Sequence, residues 1–153
     1  MIRGGFMGPI LDVDLTTGTI GTYNITDEDR RKYLGGKILG ARILWDTLEP
    51  GTDALSPGTP LIFTAGTFNG APLPSSSRFN CTTRNVLTGG IASSNCGGDF
   101  GLWMRKAGYD GIVIRGRSPR PTKLEVTEDG AQLLDATDLW GKDTEQVQET
   151  LGK

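Results

Sequence analysis

Arg78 and the run Asn95-Cys96-Gly97-Gly98 are the residues of this sequence whose types and spacing point to chemistry. They lie within one stretch, Ser75 to Gly108, in which Arg78 falls on an expected strand and the glycine-rich run reads as a bend that opens a helix. A helix N-terminus carries backbone N–H groups without partners, and these favour bound negative charge. A guanidinium adds a forked, charge-assisted contact to an oxyanion. Together they make a candidate phosphate cradle. The pattern fits neither G-x-G-x-x-G nor the P-loop consensus with its G-K-[ST]. Plainer readings stand beside it: Arg78 as a strand residue paired to a carboxylate, and the run as a tight turn in which Asn tolerates unusual backbone angles.

Other chemistries are excluded by what the 153 residues lack. There is no histidine, so imidazole-based triads and imidazole-ligated metals cannot be built from this chain alone. The two cysteines, Cys81 and Cys96, have no C-x-x-C spacing and cannot supply the four thiolates of an iron–sulfur cluster or zinc ribbon. Two buried free thiols are expected rather than a disulfide. With 16 basic and 18 acidic residues mixed along the chain, no basic stripe marks a nucleic-acid surface. No apolar run has the ~20 residues that cross a bilayer, and the N-terminus lacks a signal-peptide core, so a soluble cytoplasmic protein is expected. The 23 glycines fall singly or in pairs between apolar segments, where backbone must turn or come close to something.

The elements that must position these residues are legible in outline. Gly8 to Ile25 reads as a hairpin, with Leu11, Val13 and Leu15 alternating and Thr16-Thr17-Gly18 at the turn. Thr26 is an expected N-cap, followed by Asp27, Glu28 and Asp29 in a first helical turn. The helix pauses at Gly35-Gly36, either a junction or a point of ligand approach, and resumes through ILGARILWDTL. There Leu34, Ile38, Ala41, Trp45 and Leu48 form one stripe, the expected core face. Leu61 to Ala65 reads as a strand buried on both faces. A Gly/Pro/Ser-rich loop leads to a strand over Arg78 to Thr83, and Ile91 to Ser94 is its partner. A helix from about Asp99 ends at Gly108, then come a buried strand from Gly111 to Ile114 and a second hairpin turning at Glu128-Asp129-Gly130. Asp143 with Gln146 resembles a capping box for a last helix carrying Val147 and Leu151. Hairpins outnumber βαβ units, which predicts an α+β domain with antiparallel or mixed sheets and a few helices.

Five collinear blocks give a more specific signal: MGPILDVDLTTG, YLGGKILGARILWD, LSPGTPLIFTAGTFNGAPLPSSSR, NVLTGGIASSNCGGDFG and KAGYDGIVIRGRSPRP. From Met7 to about Leu134 the chain resembles the N-terminal domain of the aldehyde ferredoxin oxidoreductase family. The resemblance implies a saddle-like platform for a tungsten (or molybdenum) bis-pterin cofactor. It assigns cofactor contacts to Arg78, Asn95 and Gly97, and makes an oxygen of Asn95 a ligand of the magnesium ion that bridges the pterin phosphates. It implies no catalytic acid or base in this chain. The [4Fe-4S] cluster ligands and further pterin loops belong to later helical domains whose sequence is not present.

The resemblance therefore implies that residues 1–153 are a single platform domain, a fragment or one part of a split enzyme, expected to be inactive alone. The complete enzyme would oxidise an aldehyde to a carboxylic acid and pass electrons to ferredoxin, with the remaining helical domains or subunits as partners and a homo-oligomer among the allowed states. Alternatives are a related tungsten subunit acting on an aromatic acyl-thioester, and a non-catalytic binding or assembly module. Three positions depart from the family pattern: Asp99 in place of an uncharged residue, Ile38 in place of a glycine, and Cys96 in place of a smaller residue.

Overall fold

The computed structural model describes residues 5, 6 and 8–152. Met7, which opens the first of the five blocks, and Lys153 lie outside the described residues. A six-stranded sheet forms the centre. In chain order its strands are β1 (Ile10–Asp14), β2 (Thr19–Tyr23), β3 (Leu61–Ala65), β4 (Phe79–Arg84), β5 (Ile91–Cys96) and β6 (Gly111–Arg115), arranged in space as β2-β1-β6-β3-β4-β5. Only β1 and β6 pair in parallel; the other four pairings are antiparallel. A separate hairpin, β7 (Thr122–Thr127) with β8 (Gly130–Asp135), packs on one face. The mixed α+β class is as the sequence predicts.

The two faces of the sheet carry separate cores. Ile10, Ile62 and Val113 meet Leu39, Ile43 and Leu44 of helix α2 (Gly36–Thr47), with helix α1 (Asp27–Tyr33) alongside. On the opposite face Leu11, Val13, Ala65 and Ile112 meet Met104 of helix α3 (Phe100–Lys106) and the inner residues of β7 and β8. Each fully buried aliphatic side chain contributes about 1.5–3 kcal/mol. Sequence-adjacent Ile10 and Leu11 serve opposite cores because strand side chains alternate. Helix α4 (Thr144–Leu151) has the expected capping box at Asp143 and Gln146 but buries none of its residues.

One expected face is corrected. Leu34, Ile38 and Trp45 are 59%, 57% and 82% exposed, and the buried stripe of α2 is Leu39, Gly40, Ile43 and Leu44. Both stripes are apolar, so hydrophobic period alone does not choose between them. Gly40 chooses: a Cβ there would come within 2.4 Å of Thr82 Oγ1 on β4, so only a glycine lets α2 lie this close to the sheet. Leu34 belongs to no helix. With φ 59° and ψ −60° it forms a strained γ-turn, in which Gly35 N donates to Tyr33 O, between α1 and α2. Gly35-Gly36 is thus a helix junction, with Gly35 seated against the Ala65 carbonyl.

A buried ionic cluster closes one end of the sheet. The Asp110 carboxylate accepts from Arg30 Nη1 at 2.6 Å and from Arg105 Nη1, and both Asp110 and Arg105 are almost fully enclosed. The same guanidiniums reach back to the Gly8 and Gly5 carbonyls. Burial pulls the Arg105 guanidinium below its ordinary range, and neighbouring Asp110 pulls it back up.

Two stability predictions follow from this packing. Gly40→Ala should cost about 1–3 kcal/mol through overpacking, whereas Gly21→Ala, with nothing within 4 Å of the added Cβ, should stay within roughly 0.5 kcal/mol; urea midpoints measure both. Asp110→Asn leaves buried guanidiniums uncompensated and should cost about 3–5 kcal/mol, a loss of the cooperative transition at room temperature or a large fall in its midpoint. An unchanged midpoint would contradict the ionic account.

Candidate functional site

The β4–β5 ladder brings the three sequence-singled residues together. Its register pairs Phe79 with Cys96 and Asn80 with Asn95. Arg78 precedes Phe79 and Gly97 follows Cys96, so both lie just past that end of the ladder. Arg78, Asn95 and Gly97 therefore share one end of one ladder, on the two strands at the margin of the sheet.

Two details differ from expectation. Asn95 and Cys96 are not in a bend: β5 runs through Cys96, and the bend is Gly97-Gly98-Asp99. The cross-strand pairs extend the strand past the point where its apolar signal stops. Arg78 stands just before β4 rather than on it, exposed, and among the described residues it has no carboxylate partner. Its backbone is nevertheless fixed: the buried Asn69 donates from Nδ2 to the Arg78 carbonyl at 2.8 Å.

The ladder also decides which way the main chain of Asn95 faces. Asn85 N donates to Gly90 O at 2.7 Å at the hairpin end. Hydrogen-bonded and non-bonded pairs alternate in an antiparallel ladder, so Thr83/Ala92, Cys81/Ser94 and Phe79/Cys96 are the bonded pairs. Asn80/Asn95 is then non-bonded, and the N–H and C=O of Asn95 point away from β4, off the open edge of the sheet. Its side-chain oxygen accepts from Asn80 Nδ2 at 3.0 Å. Beyond it, Gly97 and Gly98 have nothing within 4 Å of where a Cβ would stand, which leaves room for a ligand against the backbone.

Helix α3 is anchored beside this edge by an aromatic cluster. Phe100 lies 4.6 Å from Phe79 and 5.7 Å from Phe63 between ring centroids, contacts worth about 0.5–1.5 kcal/mol each beyond burial. Asp99 occupies the N-cap position, but its side chain makes no capping hydrogen bond. Next to it opens an apolar cleft of about 1000 Å³ between α3, β6 and β7, bordered by Cys96, Phe79, Trp103 and Leu124. Among the described residues no group of three or more His, Cys, Asp or Glu is placed to hold a metal. Oxygen donors available to a hard cation come instead from the outward main-chain carbonyl of Asn95 and the carboxylate of Asp99.

Both cysteines are free, but only Cys81 is sheltered; Cys96 is exposed, contrary to the expectation of two buried thiols. Cys96 ends the edge strand, where no further strand covers it. Burial pushes the Cys81 thiol above its usual range. Sequence reasoning passed over Asn69 and Asn80. The signal for Asn80 was an amide inside the β-prone run Phe79-Asn80-Cys81-Thr82-Thr83, where Asn is disfavoured unless its hydrogen bonds are used.

The fold is a mixed sheet with these residues at its open margin. The profile of the aldehyde ferredoxin oxidoreductase N-terminal domain matches residues 10–153, and the chain belongs to that family, an oxidoreductase family. It is 34% identical over 149 residues to the tungsten-containing aldehyde ferredoxin oxidoreductase of Pyrococcus furiosus, covering 97% of this chain and 25% of that protein. It is 30% identical over 151 residues to the WOR-like subunit of an aliphatic sulfonate oxidoreductase from the same organism, covering 97% and 24%. Among solved structures, the active-site complex BamBC of benzoyl coenzyme A reductase with 1,5-dienoyl-CoA matches with a TM-score of 0.90 and 35% identity, over 99% of this chain and 24% of that one. The chain thus spans about a quarter of the length of the relatives it matches. No helix among the described residues is long and apolar enough to cross a membrane.

The thiols give a direct check on the site's exposure. Iodoacetamide at neutral pH, followed by mass spectrometry, should label Cys96 well before Cys81, because Cys81 is both sheltered and harder to ionise. The reverse order would place the end of β5 wrongly.

Proposed function

We propose that residues 1–153 form the cofactor-platform domain of a tungsten (or molybdenum) bis-pterin oxidoreductase, and that the complete enzyme oxidises aldehydes to carboxylic acids with ferredoxin as electron acceptor. The observation that carries this reading is the meeting of Arg78, Asn95 and Gly97 at one open sheet margin, in a chain of this family. The residues fit an anionic, magnesium-bridged group. Arg78 is exposed and has no carboxylate partner among the described residues, so its charge is free to offset a phosphate's. The main-chain carbonyl of Asn95, which faces off the edge, offers oxygen, the donor that magnesium prefers. Gly97 and Gly98 allow close approach. When bound, the metal–pterin group supplies the two-electron and oxygen-atom chemistry, and the protein supplies orientation and charge compensation.

On this reading Arg78 would hold the phosphate end, the Asn95 main-chain carbonyl would hold the magnesium, and the Gly97 backbone would leave room for the pterin. Asp99 opposes the anion unless its carboxylate joins the cation's shell, since like charges repel at this range. No residue of this chain moves a proton for the reaction, and the [4Fe-4S] ligands and ferredoxin contacts lie outside it. An aromatic acyl-thioester is the second substrate reading. It is favoured by the BamBC likeness, whose 35% identity is no lower than that to the aldehyde enzyme. Assaying the complete protein with aldehydes and with an aromatic acyl-CoA separates the two.

In the complete enzyme, Arg78→Ala should lower tungsten and pterin content about tenfold or more, as expected for a lost charge-assisted hydrogen bond of about 1.5–3 kcal/mol, while circular dichroism stays unchanged. Full metal occupancy by elemental analysis would remove Arg78 from the site.

A further inference from the structure

Asn80 is a carboxamide with 1% of its surface exposed, the second residue of β4. Burying an amide is costly unless its donors and acceptor find partners. Its Nδ2 lies 2.8 Å from Ser93 Oγ, 3.0 Å from the Ser94 carbonyl and 3.0 Å from Asn95 Oδ1. Its Oδ1 accepts from Thr82 Oγ1 at 2.6 Å.

Chemistry fixes which end of each amide is which. A main-chain carbonyl only accepts, so the Asn80 atom facing Ser94 O must be the N–H donor. The oxygen is then on the Thr82 side, and Thr82 donates to it. The two N–H groups of Asn80 are shared among three acceptors, and an Asn95 nitrogen 3.0 Å from Asn80 Nδ2 would set donor against donor, so Asn95 turns its oxygen inward. The Asn95 Nδ2 is thereby on the outer arm of an exposed residue. Gly40 of α2 packs over Thr82, where any Cβ would crowd the hydroxyl. A buried polar chain therefore runs from Thr82 through Asn80 to the carboxamide at the sheet margin.

We propose that Asn80 is a positioning residue of this site: with Thr82 it locks the Asn95 carboxamide, oxygen turned back to β4 and N–H donors turned outward to the acceptor atoms of the bound anionic group. This rests on the reading of Arg78, Asn95 and Gly97 as the cofactor-binding margin. A side chain already held in its bound geometry loses less freedom on binding, so releasing it weakens binding without removing a contact.

The test is a double-mutant cycle in the complete enzyme, read as tungsten and magnesium per chain by elemental analysis, with thermal unfolding recorded beside it. Asn95→Ala, Asn80→Ala, the double variant and Thr82→Val are compared with Thr64→Val, a buried threonine on the same sheet face whose hydroxyl bonds to the Gly36 carbonyl instead. The expected result is a loss of roughly threefold to tenfold for Asn80→Ala, a smaller loss for Thr82→Val and none for Thr64→Val. Asn80→Ala should add nothing in the Asn95→Ala background, because both act through one contact. Should Asn80→Ala not accumulate as folded protein, Thr82→Val with Asn95→Ala completes the same cycle. The positioning role is overturned, and the site reading kept, by three results: unchanged metal in the Asn80 and Thr82 variants while Asn95→Ala loses it, additive losses, or an equal loss from Thr64→Val. Unchanged metal in Asn95→Ala overturns the positioning role, and unchanged metal in both Asn95→Ala and Arg78→Ala overturns the site reading as well.

Discussion

The Asp110 carboxylate, enclosed between two guanidiniums, is the constraint on which the rest of the architecture depends. Arg30 comes from α1 on one face of the sheet and Arg105 from α3 on the other, so one acidic residue ties both outer layers to the same end of β6. The main chain joins in: Asp110 N donates to the Pro9 carbonyl, and its own carbonyl accepts from Ala65 N. The segment entering β1, the start of β6 and the end of β3 are thus stitched at one point. A buried ion pair often adds little net stability relative to an apolar replacement, but removing one partner is expensive. What this cluster supplies is mutual placement: α3, and with it the bend at Gly97, cannot shift without exposing an unpaired charge.

A second polar system lies across the sheet, between α2 and the β4–β5 ladder. Thr64, Asn80 and Thr82 are all nearly or wholly buried, on the face that α2 covers. They are tolerated there because Thr64 donates to the Gly36 carbonyl, Thr82 donates to Asn80 Oδ1, and the amide of Asn80 finds acceptors on β5. The apolar cores end where these groups begin. On this face the sheet is thereby divided into an aliphatic half around β1 and β6 and a polar margin at β4 and β5, and the candidate site lies at that margin.

Much of this was legible residue by residue. The β1–β2 hairpin, the Thr26 cap, the strand Leu61–Ala65, the tight turn at Glu128-Asp129 and the Asp143 capping box are where the sequence puts them. The candidate site was legible as residue types, and the five blocks carried the family. The core face of α2 was not, because its apolar residues surround the helix and the choice between stripes was made by Gly40 against Thr82. Nor was the extension of β5 through Asn95 and Cys96, since polar residues join a strand only when a partner such as β4 offers register and hydrogen bonds.

What the sequence by itself determined is local: caps, turns and alternation act over a few residues, and their signals need no partner from elsewhere in the chain. Tertiary structure alone decided the parallel pairing of β1 with β6, the burial of Asp110 between Arg30 and Arg105, and the placing of Arg78 and Gly97 at the same end of the β4–β5 ladder. Each of these joins residues distant in sequence. Their energy lies in desolvation and in hydrogen-bond geometry, which exist only once the partners have been brought together.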